Sequence, residues 1–74
     1  MKGGSGVDYE LLRETRMAAG VTQEAMADAL GYKDKSSYCL LENGTVKCTV
    51  EQSKKIKRVL ALSLEQYAAI FLHE

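Results

Sequence analysis

Stop and start signals recur at such short intervals along this chain that they cut it into segments fit for little besides short helices. Gly20, Gly31 and the Asn43-Gly44 pair each close a run of apolar residues spaced three and four apart, and a glycine just beyond such a run is a helix stop. Thr22, Thr49 and Ser63 open the runs that follow; their side-chain oxygens can accept from the free amides of a first turn. Thr49 with Gln52 three residues later has the form of a capping box. The chain has 74 residues and no proline or tryptophan, and its apolar content, chiefly Leu, Ala, Val and Met, favours helices over a sandwich or barrel. These features predict an all-α fold, a compact bundle of five short helices around one modest core.

Helical spacing assigns the elements. A first helix is expected from Val7 or Asp8 to Ala19, with Leu12, Thr15, Arg16 and Ala19 on one face and Met17 beside it. A second runs from Thr22 to Leu30 on Met26, Ala27 and Leu30, and a third from Asp34 or Lys35 to Glu42, burying Tyr38 and Leu41. The fourth presents Val50, Ser53, Ile56, Val59 and Leu60 inward, and the fifth carries a stripe of Leu64, Tyr67, Ala68 and Phe71 with Ile70 alongside. Residues 1–6 read as a flexible start or an expression remnant, and 7–74 as the single domain.

Composition narrows function by exclusion. No apolar run is long enough to span a bilayer and none resembles a signal peptide, so a cytoplasmic protein without membrane attachment is expected. Cys39 and Cys48 are too far apart for a CxxC site and the single histidine, His73, lies at the C-terminus. No metal or other cofactor is therefore expected, and the thiols read as separate and reduced. No activated nucleophile, metal set or small-molecule site is legible, so an enzyme is not expected. Net charge is zero, which argues against a non-specific basic coat for nucleic acid. The bases nonetheless gather between Lys33 and Arg58, where Lys33, Lys35, Lys47, Lys54, Lys55, Lys57 and Arg58 face the acids Asp34, Glu42 and Glu51. That half of the domain could meet phosphates; the outward lysines of the fourth helix equally suit a solvated face.

Two short helices joined by a tight turn at Gly31 form an arrangement that lets the second enter a DNA major groove. The residues Gly20-Val21-Thr22-Gln23-Glu24, then Ala27, Leu30-Gly31 and Leu41-Glu42-Asn43-Gly44 closely resemble the phage repressor and Cro-like helix-turn-helix family, often called the XRE family. The likeness extends through Ile56, Leu60, Leu62, Ser63 and Leu64. It implies a lambda-repressor-like bundle in which the second and third helices form the helix-turn-helix, and a transcriptional regulator that binds double-stranded DNA as a homodimer with segment 34–42 in the major groove.

By the same resemblance Gln23, Lys33, Asn43, Thr45 and Lys47 are expected to contact phosphates. Lys35, Ser36 and Cys39 are the expected base readers, with Ser37 and Leu40 at the margins, and Cys39 is equally compatible with packing. Arg16 and Glu42 fall at positions that form a structural ion pair, and Ile70 and Phe71 are the candidates for a dimer interface. The chain has one residue more between Gly31 and Glu42 than the commonest family spacing, so a rearranged turn is expected there. A module that keeps the fold but binds a protein, as an antitoxin or regulator partner does, is the alternative that zero net charge and Cys39 leave open.

Overall fold

The structure, a computed structural model, describes residues 6–72. Its elements are α1 (Tyr9–Ala18), α2 (Gln23–Leu30), α3 (Lys35–Glu42), α4 (Val50–Val59) and α5 (Leu64–Phe71), and no strand occurs among the described residues. The protein is an all-α bundle of five helices.

Every helix starts on a side-chain cap. Asp8, Thr22, Asp34, Thr49 and Ser63 accept from the backbone N–H of Leu11, Ala25, Ser37, Gln52 and Gln66, at 3.0–3.2 Å. Thr49 and Ser63 are complete capping boxes, because Gln52 and Gln66 accept in return from the cap amides at 3.0 and 2.9 Å. The Ser63-Gln66 box has the same spacing as Thr49-Gln52 and adds a second capping box to the one expected from sequence.

The stops are as uniform as the starts. In α1 through α4 the chain leaves the helix through one residue at positive φ, namely Gly20, Gly31, Gly44 and Ala61. The following amide then reaches back to a carbonyl five residues earlier: Val21 to Arg16, Tyr32 to Ala27, Thr45 to Leu40 and Leu62 to Lys57, at 2.8–3.2 Å. This is the Schellman pattern, which satisfies carbonyls the helix end would leave open. In three of the four stops that following residue is apolar and packs on the core: Val21, Tyr32 and Leu62. At the end of α3 it is the exposed Thr45.

Ala61 is the one non-glycine in this position, at φ 53°, where a side chain crowds its own carbonyl at a cost of about 1–2 kcal/mol. Ala61→Gly is therefore expected to raise stability by about 0.5–1 kcal/mol after the extra entropy of the unfolded glycine is subtracted. Urea denaturation checks this, and an unchanged or lower midpoint would contradict it.

The core is contributed by every helix: Leu12; Met26, Ala27 and Leu30; Tyr38 and Leu41; Ile56 with Leu60 and Leu62; and Ile70 with Phe71. α2 lies at the centre against α3 and α4, while α1 joins α3 to α5. Ala27 is buried on the central helix, and its small side chain suits the close crossing. Asp8 donates its amide to the Ile70 carbonyl at 2.7 Å, closing α1 onto α5. The Ser53 and Tyr67 hydroxyls share a 2.8 Å hydrogen bond between α4 and α5.

Several residues assigned inward by periodicity lie outside. Val50 and Leu64 are exposed because each is the first helical residue after an exposed cap, before its helix reaches the core. Ala19 is exposed at the α1 stop and Met17 on its flank. Ile70 and Phe71 are the reverse case: at 1% and 8% exposure they belong to the chain's own core. That burial leaves the two of them little surface for a second copy, while Leu64 at the start of the same stripe stays exposed. The reading of residues 1–6 falls outside the described residues except at Gly6.

Candidate nucleic-acid interface

The turn between α2 and α3 has four residues, each with a definite place. Gly31, at φ 84°, completes the α2 stop, a conformation that suits glycine because it has no Cβ to clash. Tyr32 turns inward against the core and its hydroxyl accepts from the Gln52 side chain in α4. Lys33 is exposed. Asp34 caps α3, accepting from both the amide and the hydroxyl of Ser37 at 3.2 and 3.3 Å. Its carboxylate therefore sits on the positive end of the helix, where it favours α3. The turn anchors in the core through Tyr32 and leaves α3 starting at Lys35.

The far end of α3 is fixed by a buried polar cluster. Arg16 donates through Nε to Glu42 Oε2 at 2.5 Å and through Nη2 to Oε1 at 3.2 Å, with Nη1 on the Val21 carbonyl at 2.8 Å. Gln23 Nε2 donates to Glu42 Oε1 at 2.8 Å. The last turn of α1, through Arg16, and the first residue of α2, Gln23, thus converge on the carboxylate that ends α3, and Arg16 ties the α1–α2 loop to the same cluster. The forked geometry of arginine on a carboxylate restricts orientation as well as distance. Sequence reading placed Gln23 at a phosphate; the structure adds an intramolecular bond that uses one of its two amide hydrogens and holds the side chain at the mouth of the α2–α3 pair.

Burial alone would raise the Glu42 pKa, but hydrogen bonds from Arg16 and Gln23, the nearby Tyr38 hydroxyl and the charge of Arg16 outweigh it, holding the carboxyl below its ordinary value. Tyr38 is itself fully buried; burial first, then the Glu42 carboxylate, pushes its hydroxyl well above the usual range. Among the described residues that hydroxyl makes no hydrogen bond. Because Glu42 ionises more readily in the folded state, its stabilising contribution is present above the ordinary value of 4.5 and is lost as pH falls through the lowered folded value. The melting temperature of the wild type is expected to drop on acidification below that ordinary value, and Glu42→Gln to flatten the acid limb. An unchanged acid limb in Glu42→Gln would contradict this.

The outward surface of α3 is polar and cationic at its start. Lys35 and Ser36 are exposed, as are Lys33 before them and Asn43, Thr45 and Lys47 after the helix. Asn43 Oδ1 accepts from the Thr45 amide at 3.0 Å and the Thr45 hydroxyl at 2.6 Å, which orders the loop and turns the asparagine amide hydrogens away from that pair. Gly44 lets the loop lie against Tyr9: a Cβ there would stand 3.2 Å from two ring carbons. Cys39 is half-buried and does not share the open exposure of Lys35 and Ser36; it lines a groove with Tyr9, Glu10, Arg13, Gln23 and Asn43. Leu40, marginal in the sequence reading, is the exposed residue one turn beyond Ser36. Arg13 was missed, since an outward arginine on α1 reads as a solvated face until the fold sets it in a groove with Gln23.

A model of the helix-turn-helix domain family matches residues 10–70. The chain belongs to that family. No curated protein and no solved structure matches it at a significant level. The helix-turn-helix is α2, the Gly31–Asp34 turn and α3, and membership suggests a DNA-binding regulator. No helix among the described residues is long and apolar enough to cross a membrane, and no cluster of three or more His, Cys, Asp or Glu residues there could hold a metal ion. Both cysteines are free thiols, and burial pushes Cys48 up to about 11, which leaves it unreactive near neutrality.

Proposed function

We propose that this helix-turn-helix domain is a sequence-specific, double-stranded DNA-binding transcriptional regulator of the repressor or Cro-like kind, acting in the cytoplasm with α3 in the major groove. The observation that carries the reading is the Arg16–Glu42–Gln23 cluster, which fixes α3 from behind while Lys35 and Ser36 on its front are exposed and unburdened by packing. Lys35 and Ser36 are the proposed base readers, Lys being able to donate to guanine O6 and N7 and Ser to donate or accept; Cys39, set back in its groove, is a contact at the edge of this surface. Lys33 and Lys47 supply charge to the flanking phosphates. The remaining amide hydrogen of Gln23, the Asn43 amide and the Thr45 segment supply uncharged donors.

Zero net charge implies weak binding by one copy, so the reading includes a homodimer on two half-sites about one helical turn apart. Selection from a random duplex library with the full chain tests it, with enrichment of a palindrome expected. A folded sample that enriches no motif would contradict it and favour a protein-binding role for the same fold.

A further inference from the structure

α3 carries three large aliphatic or aromatic side chains, and they are not treated alike. Tyr38 and Leu41 are fully buried, whereas Leu40 is 44% exposed. Leu40 follows Ser36 by four residues, so the two share one face of the helix. The loop beyond repeats the exception. Where the other Schellman stops drop an apolar residue into the core, this one exposes Thr45 and then Val46, and both of their amides bond to the Leu40 carbonyl, at 2.9 and 3.3 Å. Val46 is also exposed. Two exposed apolar residues therefore stand along a stretch whose other exposed members, Lys35, Ser36, Asn43, Thr45 and Lys47, are polar or cationic.

We propose that Leu40, supported by Val46, is a specificity element for thymine, placed to receive the 5-methyl group in the major groove. This rests on the DNA-binding reading above and adds a determinant to it. The surrounding lysines match a phosphate-lined groove, whereas the buried centre of a protein–protein contact is depleted of them. Among the base edges of that groove only thymine presents an apolar group, so a leucine there gains from thymine what it cannot gain from guanine, adenine or cytosine.

The test uses the duplex enriched by the full chain, with each thymine replaced in turn by deoxyuridine, which removes the methyl and nothing else. Uracil at the contacted thymine of one half-site is expected to weaken wild-type binding about fourfold, the effect of burying one methyl. Leu40→Ala, checked for native helicity by circular dichroism, is expected to bind more weakly and to be indifferent to uracil at that position, while Lys47→Ala keeps the uracil effect. Tight wild-type binding that no uracil substitution alters would overturn the proposal and leave the DNA-binding reading standing, as would a Leu40→Ala variant with its uracil sensitivity intact. A chain that enriches no duplex overturns both.

Discussion

Arg16→Ala is expected to destabilise the fold by about 3–5 kcal/mol, because it leaves the Glu42 carboxylate buried without its charge partner. Arg16 and Glu42 are 8% and 4% exposed, so water cannot replace the lost guanidinium, and Gln23 alone remains as a donor to the carboxylate from outside α3. The loss extends beyond the pair, since Arg16 also holds the Val21 carbonyl. Small domains have total stabilities of about 5–15 kcal/mol, so the variant should be largely unfolded at moderate urea concentrations. Equilibrium denaturation followed by circular dichroism measures the change, and a loss under about 1 kcal/mol would mean the pair behaves as a surface bridge. Replacing both residues by apolar groups of similar volume is expected to recover much of the stability. It would not restore the orientation that the fork imposes on α3.

The second large effect is on binding. If Lys33, Lys35 and Lys47 each neutralise a phosphate, affinity for duplex DNA should fall about 40-fold for one domain, and about 2,000-fold for a bound pair, between 50 and 200 mM salt. Fluorescence anisotropy across that range gives the slope and so distinguishes one domain from two. Affinity independent of salt would remove the phosphate contacts from the account. Lys47→Ala should lower the slope by about one per domain and weaken all sequences alike.

Much of the scaffold is legible in the sequence because its signals are local. Gly20, Gly31 and Gly44 mark three stops and Thr22, Thr49 and Ser63 three starts, each read from a few neighbouring residues. Ala61 escapes such reading: it adopts the glycine conformation without being glycine, held there by the Leu62 and Lys57 bond. Periodicity also gives a face without saying what covers it. Ile70 and Phe71 stand on an apolar stripe whether that stripe meets a second chain or the rest of its own, and only tertiary packing reveals that these two are buried within the chain.

The site is less legible, for a related reason. Asp34 reads as a charge opposing phosphate until its bonds to Ser37 reveal a cap. Cys39 and Leu40 are adjacent in sequence, and the rotation of α3 about its axis determines which is outward. That rotation follows from the Tyr32 anchor at one end and the Glu42 cluster at the other, contacts separated along the chain by roughly twenty residues or more, on the scale of tertiary rather than local order.

The front of α3 is proposed to read bases, while the Arg16–Glu42–Gln23 cluster holds the helix in place and reads none. Parallel selections from one random duplex library, with the wild type and with a Lys35→Ala, Ser36→Ala double variant, test it most directly. The variant, still folded, is expected to lose or change sequence preference at the positions those two side chains contact and to keep the half-site spacing. An identical motif from both proteins would contradict it.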